Sequence, residues 1–355
     1  MLQKLMYWLF FITISFSQTT SNPQFSVVGD LVFDHYSNNS TLASSGIEIA
    51  VQGYVNPFAR ADVYLHKHND DSPIELEEAV MTIERGLPIG LGLRVGKFRP
   101  DLGKINQSHA HLFPFIEAPS SMTKILGEEF WAATGAEINI LLPLPWYSNF
   151  SFGYFDADIG SHDHEGHMEK KEYDKEDYDK EDHDDHKHDL GEKQENSISL
   201  RWSQFFELNE INHLELGISG YSEHNDQIMG VDLKYKWRPS QYRSLTFQAE
   251  VLQQSLAKKE ITNFKTEDKL TVGYAMANYQ FNKSYNLGII ADYSLTDHEG
   301  KKLNPSIFFG FSPVEESTVF RIKVGQVENH ETHKKQLKTI VQIIWSLGPH
   351  KPHRY

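Results

Sequence analysis

Apolar and polar residues alternate one by one along most of the chain from Gln24 onward. Between Met229 and Trp237, every second side chain is apolar or aromatic, and glycine, aspartate or lysine stands between them. Successive side chains of a β-strand point to opposite faces, so this pattern predicts strands with one apolar and one polar face. Sixteen such runs can be recognised, at residues 24–36, 45–56, 59–68, 74–85, 90–99, 129–142, 147–159, 196–207, 211–222, 227–238, 242–257, 268–281, 285–296, 302–312, 317–328 and 335–347.

The connections between these runs differ on the two sides. Short turns follow the even-numbered runs, whereas longer or more polar connections follow the odd-numbered ones. Aromatic residues cluster beside the short turns, at Phe58, Trp146, Tyr147, Trp237, Tyr242, Phe281, Tyr285, Phe309 and Phe311. Outer-membrane barrels combine an even number of strands, short periplasmic turns, long outer loops and aromatic girdles. A soluble β-sandwich would also alternate, but it does not predict loop lengths that differ by side.

The expected fold is therefore all-β, a transmembrane antiparallel up-and-down β-barrel of about 16 strands. Several runs exceed the ~5–6 residues of a typical soluble strand and match the ~9–11 residues that cross a bilayer. A barrel of this size is wide enough for an aqueous lumen, and the polar face would line it. Charged residues on that face are Glu48, Arg94, Arg201, Asp232, Lys234, Lys236, Glu250, Asp292, Arg321 and Lys323. Their signs are mixed, so they predict no ion selectivity.

The third long connection, residues 100–128, is unusually apolar for a surface loop. It contains HAHLFPFIEAP, which brings His109, His111 and Glu117 close together in sequence. Either this connection folds into the channel and these three residues narrow it, or it packs over the rim. With Glu117, the predicted pore residues are Arg94, Arg201, Lys234, Lys236, Arg321 and Lys323.

The first residues are typical of an export signal. Lys4 precedes an apolar run over residues 5–16, and the small residues Ser15 and Ser17 stand at its end. The run is shorter than the ~20 residues of a spanning helix, so we predict a signal peptide over residues 1–17 and a barrel over residues 18–355. The net charge of -15 argues against nucleic acid as a partner. No spaced catalytic motif is visible, and we expect no enzymatic activity.

A strip rich in histidine and carboxylate, residues 160–195, interrupts the alternating pattern. From Ser161 to Glu195 it carries fifteen acids against six lysines, and such a composition does not pack, so we expect a disordered outer loop. Its histidines are His162, His164, His167, His183, His186 and His188. Neutral imidazoles with carboxylates suit zinc and related divalent ions. We predict loose metal binding here, with His109 and His111 as further ligands; the alternative is a solvated acidic tether.

Three stretches carry a resemblance to a known family. They are GLGLRVGKFRPDLGKINQSHAHLFPFIEAP, LGEEFWAATGAEINILLPLPWY and the terminal WSLGPHKPHRY. They resemble the bacterial outer-membrane proteins usually labelled zinc-regulated TonB-dependent outer-membrane receptors. The resemblance implies a barrel linked to zinc and coupled to an energy source. Between Gln18 and Gln24 there is room for neither a plug nor a coupling segment, so we expect a porin-like barrel instead.

These observations favour a channel for small solutes in the bacterial outer membrane, with capture of divalent metal, zinc above all, at its mouth. The alternatives are an energy-coupled zinc receptor and a barrel that only anchors a surface metal-binding or adhesion protein. The expected partners are outer-membrane lipid, divalent metal ions and the barrel-assembly machinery, which would recognise the terminal GPHKPHRY. An oligomer is compatible with this reading.

Overall fold

A computed structural model describes residues 23–37, 39–69, 72–156, 196–223, 226–257, 267–296, 300–314, 317–328 and 335–348. They form one antiparallel sheet of 17 strands. The strands are β1 (Gln24–Tyr36), β2 (Asn39–Ala43), β3 (Ile47–Asn56), β4 (Ala59–Lys67), β5 (Glu75–Ile83), β6 (Leu91–Phe98), β7 (Ala133–Leu141), β8 (Tyr147–Phe155), β9 (Ser197–Asn209), β10 (Asn212–Glu223), β11 (Asp226–Ser240), β12 (Arg243–Ala257), β13 (Glu267–Gln280), β14 (Tyr285–Thr296), β15 (Gly300–Val314), β16 (Thr318–Glu328) and β17 (Lys335–Leu347).

The sheet closes on itself, because β1 pairs with β17 from Val27↔Leu347 to Tyr36↔Lys338. On its other side β1 pairs first with β3 and then with β2. These two strands share one position in the barrel, interrupted at Gly46, whose φ is +126°. The barrel therefore has 16 strand positions. This confirms the predicted all-β, closed antiparallel fold.

The two faces of the barrel differ as the alternation predicts. In β11, Met229 is 69% exposed on the outer surface, whereas Gly230 and Asp232 face inward and are buried or nearly so. Aromatic rings also stack on the outer surface beside the short turns, with the Tyr285 ring centroid 5.0 Å from that of Phe311. Aromatic rings at this position suit a membrane boundary, because they offer both an apolar body and a polar edge.

Among the described residues, no helix has the length and apolar character needed to cross a membrane.

Residues 99–132, which join β6 to β7, form a segment that we call the inner segment. It includes the short helix α1 (Ser120–Leu126). The inner segment touches the barrel wall on many sides: His109 reaches β3 and β5, Ile105 reaches β12, and Glu117 reaches β16 and β17. A segment with partners all round the wall lies inside the barrel, so of the two placements that the sequence left open the structure shows the one in the lumen.

The inner segment also builds an apolar core within the lumen. Its side chains Leu102, Ile105, Phe115, Met122 and Leu126 are almost completely buried. They belong to one cluster with apolar residues of the wall, which are Val80, Phe98, Ala133, Phe155, Tyr221, Ile228, Leu252, Val272, Tyr274, Met276, Ile290 and Phe308. The inward face is therefore less uniformly polar than the sequence pattern suggests, because the wall carries apolar residues where the inner segment rests.

Candidate functional site

Salt bridges fix one end of the inner segment to β16 and β17. The Glu117 carboxylate lies 3.2 Å from Lys323 Nζ and 2.9 Å from Lys338 Nζ. Burial raises the pKa of Glu117, but the two ammonium groups lower it by more, so its pKa lies below the ordinary range. Close by, the Arg321 guanidinium donates a 3.0 Å hydrogen bond to the carbonyl oxygen of His111. Glu117, Arg321 and Lys323, all predicted pore residues, thus take part in two separate contacts between the inner segment and β16.

Carboxylates of the wall also accept hydrogen bonds from the backbone of the inner segment. Asp292 in β14 accepts from the Ser121 N–H at 3.2 Å and from the Ser120 hydroxyl at 2.7 Å. Glu250 in β12 accepts from the Ile105 N–H at 3.0 Å. A buried backbone N–H without a partner is costly, so these carboxylates stabilise the segment inside the lumen.

The remaining predicted pore residues lie on the inward face. Arg94 donates a 3.0 Å hydrogen bond to Glu137 and lies over the Phe98 ring. Arg201 binds Asp232 through hydrogen bonds of 2.7 and 3.0 Å. Lys234 and Lys236 follow Asp232 on the same face of β11, toward the short turn after that strand. Most of these charges are therefore engaged with the wall or the inner segment.

A group of histidines and glutamates lies at the end of the barrel that carries the long loops. At its centre is His109, of which only 7% is exposed. His109 Nδ1 is 3.3 Å from Glu48 and 3.4 Å from Glu77, while Nε2 is 3.1 Å from Glu78. His111 Nδ1 is 3.2 Å from the same oxygen of Glu48. Two imidazoles of the inner segment thus face carboxylates from β3 and β5.

A β-bulge explains how two consecutive glutamates face inward. The β4–β5 register runs from Tyr64↔Glu78 to Leu65↔Leu76, which leaves Glu77 without an opposite residue. In a regular strand Glu77 would point to the outer face, because side chains alternate. The extra residue of a bulge re-aims a side chain, and here the side chains of both Glu77 and Glu78 are about nine-tenths buried beside His109.

A second, more exposed group adjoins the first. His66 Nδ1 lies 3.4 Å from Glu77, and the His66 and His68 ring centroids are 4.2 Å apart. His68 Nε2 is 2.8 Å from Glu129, next to the start of β7. The backbone at Gly46 lies directly against this group. A Cβ at position 46 would lie 2.9 Å from His66 Nε2 and 2.2 Å from the Lys67 carbonyl oxygen, so no larger residue fits there. We call the two groups together the His–Glu cluster.

The carboxylates dominate the electrostatics of His109. Burial and the Arg99 guanidinium lower the pKa of His109, but the contacts with Glu48, Glu77 and Glu78 outweigh them and raise the pKa to about 10. His109 Nδ1 has no well-directed hydrogen-bond partner within the described ranges, and the same holds for Glu77 Oε2. The site has a strong preference for positive charge.

The structure brings His109 and His111 together, as their spacing in sequence suggests. The six histidines of the strip, His162, His164, His167, His183, His186 and His188, lie outside the described residues, as does the predicted signal peptide. Sequence reasoning placed Glu48 in the lumen, but joined neither Glu48 nor the pair His66 and His68 to a site with His109. It missed Glu77, Glu78 and Glu129. The only signal was the short motif His66–Lys67–His68.

Comparisons with known proteins agree on the fold. No family model matches the chain. A protein of Aquifex aeolicus (strain VF5), itself uncharacterized, is 26% identical over 343 residues, covering 87% of this chain and 69% of that protein. Among solved structures, the outer-membrane channel DcaP of Acinetobacter baumannii has a TM-score of 0.57 at 11% identity, covering 92% of this chain and 96% of its own.

Two further structures are similar. An anion-selective porin from Comamonas acidovorans has a TM-score of 0.57 at 10% identity, covering 91% of this chain and 98% of its own. OmpT of Vibrio cholerae, in its trimer form, has a TM-score of 0.53 at 6% identity, covering 92% of this chain and 99% of its own. At such identities the likeness concerns the fold, and the chain has the outer-membrane β-barrel fold of porins.

Proposed function

We propose that the chain forms a channel for small solutes in the bacterial outer membrane, and that its histidine strip captures divalent metal ions, zinc above all. The observation that best supports a channel is the charged inward face of a closed barrel with 16 strand positions. The inner segment narrows the lumen of this barrel. Charges facing lipid would be costly, whereas charges that line a water-filled lumen are not. The similar solved structures are named as channels and porins.

Two other functions remain as candidates. The apolar core between the inner segment and the wall favours a closed barrel that anchors a surface metal-binding or adhesion protein. An energy-coupled zinc receptor rests on the sequence resemblance alone, since the comparisons name no zinc receptor.

Conductance of the purified protein in planar bilayers separates the channel from the anchor. We expect steady steps of open conductance, because charged residues lie along the lumen beside the inner segment. The matched control is the same detergent fraction without protein. Protease protection of the strands shows that the protein has inserted. Inserted protein that gives no conductance would contradict the channel and favour the anchor.

The metal-capture part of the proposal has its own test. Replacing the six histidines of the strip with glutamine keeps the acidic charge and removes the imidazoles. We expect the variant without these six histidines to bind less zinc than the unaltered protein, because carboxylates alone are weaker ligands for zinc. Equal zinc stoichiometry in both proteins would show that the strip is a solvated tether.

We further propose that the barrels associate in the membrane, as OmpT of Vibrio cholerae does in its trimer form. Exposed apolar residues surround the barrel on its outer surface, so lipid and a second copy are both compatible with that surface. Cross-linking in native membranes tests this. Cross-linked samples that contain no species larger than the single chain would contradict an oligomer.

A further inference from the structure

We propose that the His–Glu cluster is a divalent transition-metal site inside the long-loop end of the barrel, separate from the histidine strip. It has two adjoining positions. His66, His68 and Glu129 form the more exposed one, and Glu48, Glu77 and His109 form the buried one. An ion captured outside would meet the exposed position first and the buried one next, at the entrance to the lumen.

The spacing of the buried group fits a tetrahedral ion. Zinc lies about 2.0–2.1 Å from nitrogen and oxygen ligands, which places two ligands of one ion about 3.3 Å apart. His109 Nδ1 lies 3.3 Å from the nearer Glu48 oxygen and 3.4 Å from that of Glu77. His111 Nδ1 lies 3.2 Å from the same Glu48 oxygen, so a second imidazole borders the group of three ligands.

The atoms aimed into the buried position lack other partners. His109 Nδ1 and Glu77 Oε2 are buried and have no hydrogen-bond partner within the described ranges. Buried polar atoms of this kind usually point to an unseen ion or water. The bulge at Glu77 strengthens the inference, because a regular strand would have turned that carboxylate away from the lumen.

The charge of the cluster also calls for cations. Glu48, Glu77 and Glu78 converge on His109, and Glu75 and Glu129 lie beside His68. Against these carboxylates stand the Arg99 guanidinium, 3.8 Å from Glu77, and the Arg94 guanidinium, whose charge also acts on Glu78. Four imidazoles among the oxygen ligands favour zinc, copper or nickel over magnesium and calcium, which prefer oxygen alone.

The competing interpretation is an ion-pair network, in which protonated histidines simply fasten the inner segment to β3 and β5. Both interpretations predict that substitutions in the His–Glu cluster loosen the inner segment. Only the metal site predicts a stoichiometric loss of bound ion together with loss of imidazole ligation.

The experiment uses the full chain with the six histidines of the strip replaced by glutamine, so that the strip contributes no imidazole. Zinc is added at neutral pH with excess magnesium, and bound zinc is measured after gel filtration. We expect two zinc ions per chain.

His109→Gln with Glu77→Gln should remove the ion at the buried position, and His68→Gln with Glu129→Gln should remove the one at the exposed position. His213→Gln, which alters an imidazole stacked on Phe205 in the barrel wall, is the matched control and should retain both.

X-ray absorption at the zinc edge gives a second readout, since imidazole scattering should weaken in the His109→Gln protein. Heat-modifiable gel migration reports whether each variant still forms the barrel. If the parent binds no zinc, or if the paired substitutions leave stoichiometry and imidazole scattering unchanged, the site is overturned. One ion that only one pair of substitutions removes would overturn the two-position arrangement. None of these readouts depends on conductance, so the site and the channel fail separately.

Discussion

Arg201 of β9 binds Asp232 of β11 through hydrogen bonds of 2.7 and 3.0 Å across the strand that lies between them. The same guanidinium lies 3.1 Å from Asp101 of the inner segment. Both side chains of the Arg201–Asp232 pair are almost fully buried. One arginine therefore joins two strands of the wall to the segment inside it.

We expect Arg201→Gln to destabilise the barrel strongly, because it leaves the buried carboxylate of Asp232 without its cation. Loss of one partner of a buried ion pair costs about 3–5 kcal/mol. Urea unfolding of the protein in lipid vesicles measures the change. Arg60→Gln breaks a more exposed pair with Asp62, so it should cost clearly less. Equal losses in the two variants would contradict the special role of Arg201.

The facing of β11 can be tested with single cysteines, since the native chain contains none. Lys234→Cys should react with a membrane-impermeant thiol reagent, because position 234 faces the lumen. Leu233→Cys should be protected by lipid. The reverse result would mean that the register of this strand is shifted by one residue.

Gly103 allows the inner segment to approach the wall. Its φ is +63°, and a Cβ would lie 1.8 Å from Glu250 Oε1. We therefore expect Gly103→Ala to displace the segment, raise the conductance and expose residues 99–132 to protease. Gly127→Ala is the control, because its φ of +82° carries similar backbone strain but no atom lies within 4 Å of the added Cβ. If both variants behave alike, backbone strain rather than contact with Glu250 is responsible.

The attachment at Glu117 should weaken in acid. Its pKa in the folded protein is lowered, so its contribution to stability is present above the ordinary pKa of about 4.3. That contribution is lost as the pH falls through the folded value. The charged groups that face it are Lys323 on β16 and Lys338 on β17, with Asp34 of β1 beside Lys338.

Protease protection of the inner segment across acid pH measures this effect. Glu117→Gln should lower protection at neutral pH and flatten the part of the pH dependence that belongs to Glu117. The difference between the two proteins is the relevant quantity, since other carboxylates titrate as well. A constant difference at all pH values would contradict an ionised Glu117.

The strands could be predicted from the sequence because alternation is a local property. The run at 335–347 coincides with β17, and the run at 24–36 coincides with β1. Inward apolar residues such as Ile290 look like exceptions to the pattern. They are explained only when the inner segment is seen to rest on them.

The His–Glu cluster could not be predicted in full, for two physical reasons. Its members come from β3, β4, β5 and the inner segment, which only the closed fold brings together. Glu77 moreover faces inward through a bulge, and strict alternation assigns it to the opposite face. The pair His66 and His68 was visible, but its carboxylate partners were not.

The seam between β1 and β17 has a consequence for how the barrel is made. Val27 meets Leu347 and Tyr36 meets Lys338, so this contact joins the two most distant parts of the barrel. Until β17 pairs with it, β1 keeps one edge of unpaired amide and carbonyl groups, which is a template for aggregation. Pairing between such distant residues is slow. Closure of this seam therefore removes the exposed edge of β1 as a template for pairing with another copy of the chain.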